Sequence, residues 1–413
     1  MLLVVFILRL SGNRKAEPSV DTPSADVVKR PHPVATEYLR FIEAQLDSFN
    51  NVGAALTIVR KDEVLLMKTF GVKQCGSNDS VDIHTVFRLA SVSKGFAGIL
   101  ACILEKKGVL SLQDKVVSYL PGFRLRDTSC TENLRVEHLL SHTTGLAPHA
   151  FDNLIEDGKM LKSIINDLSE VQLSATPGKL YSYQNVIFSL FDTISYLTSG
   201  NTYSSLVEKH IFRPLHMRDA SVGSKVFAHR NSNVALPHSG NTTSQYCLPV
   251  NLNYYNIAPA AGVNASISDL SRWLQALLGH DPEILDTLLL SKISQPFIET
   301  PLQRRYTRYW DKIEEKSYSL GWRIYKYKGR KIIYHGGYVK GYRAEIAFCP
   351  EENIGLAFVQ NSPNTVASIC VPAFFNTYFN YMKMNPEPAP ENYVFEGFKF
   401  KNDTMGLFQG ESF

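Results

Sequence analysis

At 413 residues, 44% apolar and 20% charged, the chain exceeds one small core and calls for one large or two packed domains. The formal net charge of +4, without a basic block or basic residues interleaved with aromatics, argues against a nucleic-acid partner. Six scattered cysteines (Cys75, Cys102, Cys130, Cys247, Cys349 and Cys370) include no Cys-x-x-Cys pair, which argues against a cysteine zinc site. Cys102 and Cys349 lie in apolar runs and read as core, and the even count admits disulfides that spacing alone cannot pair.

Met1 to Leu8 is apolar but far short of the roughly 20 residues a membrane span needs. It resembles the apolar part of an export signal, although no basic residue precedes it and no small-x-small cleavage site follows closely. A periplasmic or extracytoplasmic location is therefore expected, with room for loose membrane association through this end. Ser11 to about His32 reads as a linker. Val34, Tyr38, Ile42, Leu46 and Phe49 then recur at helical spacing, predicting an amphipathic helix. Two β-rich runs around Lys61-Asp62 predict a hairpin.

The stretch "FRLASVSKGFAGIL" (87–100) begins a helix whose Phe96, Ile99, Leu100, Ile103 and Leu104 form a buried face, ended by Gly108. Residues from about 110 to 290 are mostly helical or irregular, with clear helices in "NTYSSLVEKHIFRPL" and "SISDLSRWLQALLG". Strands return in "SYSLGWRIYKYKGRKIIYHGG", "GYRAEIAFCP" and "NIGLAFVQNS", the last two joined at Pro350–Asn353. A closing helix follows in "VASICVPAFFNTYFNYMKM", where Pro372 must sit in the first turn or kink it.

Strands at both ends around a helical middle predict an α+β fold. An antiparallel sheet is built from the N- and C-terminal segments, flanked by helices, with a mainly helical subdomain inserted. The expected divisions are a leader and linker (1–32), a domain (33–385) and a tail (386–413). Within the domain, an α/β part takes about 33–95 and 295–385, and the helical part about 96–294.

Ser91 and Lys94 stand at i and i+3 and so share a helix face. A serine hydroxyl is a poor nucleophile until a neighbour removes its proton, and a desolvated lysine can do so. Two further stretches carry Tyr183-Gln184-Asn185 and His335-Gly336-Gly337. Ser-x-x-Lys, Tyr-x-Asn and His-x-Gly, in this order, resemble the serine β-lactamase and penicillin-binding protein superfamily. The likeness is to its class C branch, which includes DD-carboxypeptidases, D-aminopeptidases and related esterases. Stretches 108–123, 139–146, 211–221 and 260–274 extend the resemblance over roughly residues 34–383.

The resemblance implies a serine hydrolase, probed by roles carried over residue by residue. Ser91 would be the acyl-accepting nucleophile and Lys94 its base or proton relay. Tyr183 would shuttle the proton to the leaving group, as a phenolate or as a phenol wired to Lys94. Asn185 would bond Lys94 and the substrate amide, while His335, Gly336 and Gly337 would line the substrate strand. The backbone N–H groups of Ser91 and Tyr338 would form the oxyanion hole. Tyr181 competes for the tyrosine role but lacks Asn at +2. Ser93 reads as a helix residue with a lesser claim to proton relay.

His138 and His142, at i and i+4, could suit zinc. The glutamate of His-Glu-x-x-His is missing, so the segment reads as structural. No cofactor and no metal is implied, and the expected partner is a small molecule or peptide carrying an acyl group, met by a monomer.

Arg88 stands where class C β-lactamases usually carry Glu, and His335-Gly336-Gly337 replaces Lys-Thr-Gly. A histidine of pKa near 6.5 would supply only part of the lysine charge at neutral pH. These departures favour cleavage of D-amino-acid peptides, esters or β-lactam-like amides by a peptidase or esterase relative. A true class C β-lactamase, or a non-catalytic penicillin-binding sensor or scaffold, are the alternatives.

Overall fold

Apolar runs from the two ends of the chain pair into one sheet. The computed structural model describes residues 32–228, 232–301 and 307–386. Strands β1 (Gly53–Arg60) and β2 (Glu63–Gly71) form the predicted hairpin around Lys61-Asp62. Five short strands follow: β3 (Phe87–Arg88), β4 (Ser221–Val222), β5 (His238–Gly240), β6 (Gln245–Cys247) and β7 (Val263–Ala265). The late strands are β8 (Ile298–Glu299), β9 (Ile313–Tyr318), β10 (Arg323–Tyr327), β11 (Arg330–Val339), β12 (Tyr342–Cys349) and β13 (Ile354–Gln360).

The eight-stranded sheet runs β2-β1-β13-β12-β11-β10-β9-β8, and every pairing in it is antiparallel. The N- and C-terminal segments join where β1 pairs with β13, with Ala54 opposite Gln360. On β1, Ala54, Leu56 and Ile58 enter one core, while Ala55 and Val59 enter the other. Helices α1 (Pro33–Ser48) and α5 (Val366–Met384) cover the first face. Helices α2 (Ser93–Lys106), α3 (Leu190–Ser199) and α4 (Ile267–Leu277) belong to the core on the second. With both faces covered, the central strands read as nearly continuous apolar runs rather than alternating ones.

Local sequence rules account for the elements that hold the site. The Ser-x-x-Asp start of α4 is a reciprocal capping box: Ser266 Oγ accepts from Asp269 N–H and Asp269 accepts from Ser266 N–H. Lys328 and Gly329, both at positive φ, make the tight turn between β10 and β11. The short strands β4 to β7 lie in a stretch read as helical or irregular. At two or three residues each, they are too short for a period-two pattern to show. Pro372 falls inside α5 beyond its first turn. Among the described residues, no helix is long and apolar enough to cross a membrane.

Helix α2 is buried almost throughout, and Phe96 stacks on Trp273 with ring centroids 4.4 Å apart. It also meets the entrance to β10 without side chains between the backbones. A Cβ on Gly98 would collide with Leu320 O, and one on Gly321, at φ +79°, would collide with Lys94 O.

Candidate active site

A single 3-10 turn, Ala90–Val92, feeds α2, and Ala90 holds a left-handed φ of 47°. Such a conformation costs a non-glycine residue roughly 1–3 kcal/mol and recurs at functional sites. It leaves Ser91 half-buried while Lys94, one turn later, is fully buried. Lys94 Nζ lies 3.4 Å from Ser91 Oγ, 2.7 Å from Asn185 Oδ1 and 3.1 Å from Ala260 O. Burial pushes the Lys94 amine well below its usual 10.5; Asp152 opposes this and Arg323 adds to it. A neutral amine has two N–H donors and one lone pair. In the neutral form, donation to the oxygens of Asn185 and Ala260 would leave the lone pair toward Ser91 Oγ.

Tyr183 and Asn185 arrive on one irregular segment. It is pinned by Ser182 Oγ donating to Leu146 O at 2.5 Å, and by Ser182 N–H and Gln184 N–H donating to His142 O and Nδ1. Tyr183 Oη donates to Ser91 Oγ at 2.9 Å. Burial raises the Tyr183 phenol above its usual value, so it is protonated near neutrality. Asn185 Nδ2 donates to Asp152 Oδ2 at 2.7 Å, and the same oxygen contacts His149 Nδ1 at 2.7 Å. Neither Asp152 nor His149 stood out in the sequence: Asp152 opens a short helix (Asp152–Glu156), His149 lies just before it, and neither carries a motif.

Strand β11 forms the opposite wall. A Cβ on Gly337 would collide with Leu89 O and lie 3.1 Å from Ser91 N, so only glycine permits this approach. Val339 pairs with Tyr342 across a two-residue turn, and Tyr338 with Arg343. Ladder bonds alternate in an antiparallel pair, which directs the Tyr338 N–H off the edge of β11 away from β12. Strand β10 has ended by this level, its last partner on β11 being Tyr334. Ser91 N–H and Tyr338 N–H thus border the same space.

His335 departs from expectation. It is completely buried; its Nδ1 lies 2.9 Å from Gly336 O and its Nε2 3.1 Å from Tyr318 Oη. A carbonyl only accepts, so Nδ1 carries the proton and Nε2 accepts from Tyr318. Burial, then the charge of Arg323, holds the imidazole well below 6.5, so it supplies no cation at neutral pH.

The cation shared by both cavities of the cleft is instead Arg323, at the start of β10. A cavity of about 270 Å³ is lined by Tyr183, His149, Tyr181, Lys316 and Arg323, and a second of about 500 Å³ by Arg323, Gly336, Gly337, Tyr338 and Arg343. Arg323 joins the two, and its guanidinium carbon lies 5.6 Å from the Tyr183 ring centre. Tyr181 is its neighbour, with Arg323 Nη1 donating to Tyr181 Oη at 3.4 Å, and does not replace Tyr183 at Ser91. Arg323 carries no motif. Only the pairing of Arg323 with Tyr334 brings it beside the glycine strand.

The remaining candidates have structural partners. Ser93 Oγ accepts the Val263 N–H at 2.9 Å. His138 Nδ1 accepts from Arg135 N–H at 3.1 Å, and His142 packs on the Tyr183 ring at 4.3 Å. Arg88 is buried, donates to Asn251 O and lies over the Tyr255 ring at 4.3 Å.

An antiparallel sheet covered on both faces, with a Ser-x-x-Lys helix packed against its glycine strand, is the architecture of the β-lactamase and transpeptidase class. The chain belongs to the Beta-lactamase family, whose model matches residues 40–371. It is 25% identical over 345 residues to the unguisins hydrolase ungD' of Aspergillus campestris, covering 81% of this chain and 63% of that protein. It is 22% identical over 331 residues to the protein flp of Staphylococcus aureus, covering 78% and 61%. The chain therefore spans only 61 to 63% of the length of these curated relatives. In three dimensions it is similar to the octameric penicillin-binding protein homologue from Pyrococcus abyssi. The TM-score is 0.72 at 23% identity, over 84% of this chain and 77% of that one.

Proposed function

We propose that the protein is a serine hydrolase that forms an acyl-enzyme on Ser91 from amides or esters bearing a free carboxylate, such as D-amino-acid peptides. The observation that carries this reading is the position of Ser91 Oγ, 3.4 Å from Lys94 Nζ and 2.9 Å from Tyr183 Oη. Neutral Lys94 takes the Ser91 proton as Oγ bonds to the substrate carbonyl carbon, and the carbonyl oxygen becomes an oxyanion between the N–H groups of Ser91 and Tyr338. The oxyanion collapses, the bond to the leaving nitrogen or oxygen breaks, and the proton reaches that atom through the Tyr183 hydroxyl. Water then attacks the ester, releasing the acid and restoring the Ser91 O–H.

Arg323 supports the choice of substrate. It stays protonated, lines the same cavity as Tyr183, and carries a planar fork suited to a carboxylate. Relatives named as a hydrolase and a penicillin-binding homologue agree with acyl transfer. The test is intact mass spectrometry after incubation with a D-alanyl-D-alanine peptide, a penicillin and a p-nitrophenyl ester. The reading expects a Ser91 adduct that turns over with the peptide or ester. A lasting penicillin adduct without turnover would indicate a sensor, and rapid penicillin hydrolysis a β-lactamase. Absence of any adduct, with no labelling by a fluorophosphonate, would overturn catalysis.

A further inference from the structure

Outside the cleft, two thiols face each other. Cys75, in the loop after β2, and Cys247, ending β6, are 172 positions apart in the chain, yet their Sγ atoms lie 3.2 Å from each other. The backbone fixes both sides of this meeting. Leu236 N–H donates to Lys73 O at 2.9 Å, and His238 pairs with Cys247 in the β5–β6 hairpin. Cys247 is exposed and Cys75 half-buried, whereas Cys102, Cys130, Cys349 and Cys370 are buried. The contact with Cys247, followed by burial, raises the Cys75 thiol above its usual value.

His238 completes a cluster of three groups whose ligand atoms all lie within 4.8 Å of one another. Its ring is already engaged at both nitrogens. Nδ1 donates to Asn361 O at 3.1 Å, and Nε2 accepts the Cys75 N–H at 3.0 Å. Nε2 also lies 3.5 Å from Cys247 Sγ, but its lone pair is taken by the Cys75 N–H rather than presented to a metal, and the two sulfurs make the closer contact with each other.

We infer that Cys75 and Cys247 close into a disulfide that ties the loop after β2 to the start of the segment running from Cys247 down to Ala260, the carbonyl partner of Lys94. The oxidant is a low-molecular-weight disulfide such as glutathione disulfide. The exposed Cys247 thiolate attacks one of its sulfurs and expels the first glutathione thiolate. The Cys75 thiolate then attacks Cys247 Sγ and expels the second. Two protein thiols are oxidised by two electrons, one small disulfide is reduced to two thiols, and the two protein protons end on the released thiolates.

The test uses the full chain, reduced and then equilibrated with glutathione disulfide, alkylated after denaturation and digested without reductant. The expected result is a peptide linking Cys75 to Cys247, an intact mass lower by two hydrogens before alkylation, and four alkylated cysteines. Cys75→Ser should stop at a glutathione adduct on Cys247, and Cys247→Ser should give no link. Full alkylation of both thiols, or a glutathione adduct that persists on Cys247 in the unsubstituted chain, would overturn the inference. So would a stoichiometric co-purifying metal that shields both thiols until a chelator removes it.

Discussion

Asn185 Oδ1 accepts from Lys94 Nζ at 2.7 Å while the same amide donates to Asp152 Oδ2 at 2.7 Å, so one asparagine couples the buried amine to a carboxylate. The amide cannot rotate to aim its NH₂ at Lys94 without losing both bonds. Asn185→Ala should lower acylation by roughly 10- to 100-fold, as loss of a hydrogen bond to a charged or polar partner does. Asn185→Asp should lower it by raising the proton affinity of Lys94. Equal acylation rates in all three forms would remove Asn185 from the site.

Ser91→Ala should reduce acylation by roughly 10⁴-fold or more, and Lys94→Ala by a comparable factor. The double variant should fall no further than the worse single one, because both groups act in one step. Additive losses, read by burst kinetics with a p-nitrophenyl ester, would separate their roles.

The pH dependence has a sign that two substitutions should move in opposite directions. Burial holds the Lys94 amine below 10.5, so acylation rises with pH through its folded pKa and levels off beyond it. Asp152 raises that pKa and Arg323 lowers it. Asp152→Asn should therefore shift the acidic limb to lower pH, and Arg323→Met should shift it to higher pH. For stability, the unfolded chain keeps the Lys94 proton up to about 10.5. Unfolding therefore takes up a proton between the folded pKa and that value, and stability gains from this group as pH rises across the window. Limbs that coincide in all three proteins would exclude Lys94 as the titrating base.

Arg323→Met should cost roughly 10- to 100-fold in kcat/KM on substrates carrying a carboxylate, the scale of one charge-assisted hydrogen bond, and little on a neutral short-chain ester. The ratio of the two activities cancels effects on the shared acylation step. An unchanged ratio would place the carboxylate elsewhere.

The grouping of Lys94 and Tyr183 about Ser91 was legible because an i, i+3 spacing sets Ser91 against Lys94, and the Tyr-x-Asn spacing distinguishes Tyr183 from Tyr181. The source of positive charge was not. His335 occupies the motif position, but strand alternation and the Tyr318 hydroxyl bury it as a neutral ring. Arg323 borders the cleft from the adjacent strand, and its place depends on β10–β11 register, which no local pattern displays. The strands at either end announced the sheet, whereas β4 to β7 were too short to read. The meeting of Cys75 with Cys247 likewise depends on long-range pairing alone.

The bare contact of Gly98 with Leu320 and of Gly321 with Lys94 fixes a length as well as a packing arrangement. The helix that carries Lys94, fed by the turn that holds Ser91, touches, backbone to backbone, the residues that lead directly into Arg323. At these two contacts no side chain separates the backbones, so the span from Ser91 to the Arg323 Cα is set by main-chain atoms and fixes where the arginine side chain starts. On the function proposed above, substrates would be sorted by the number of bonds between the scissile carbonyl and the carboxylate. Resetting that length would require moving a helix against a strand, whereas exchanging Arg323 would remove the carboxylate contact itself.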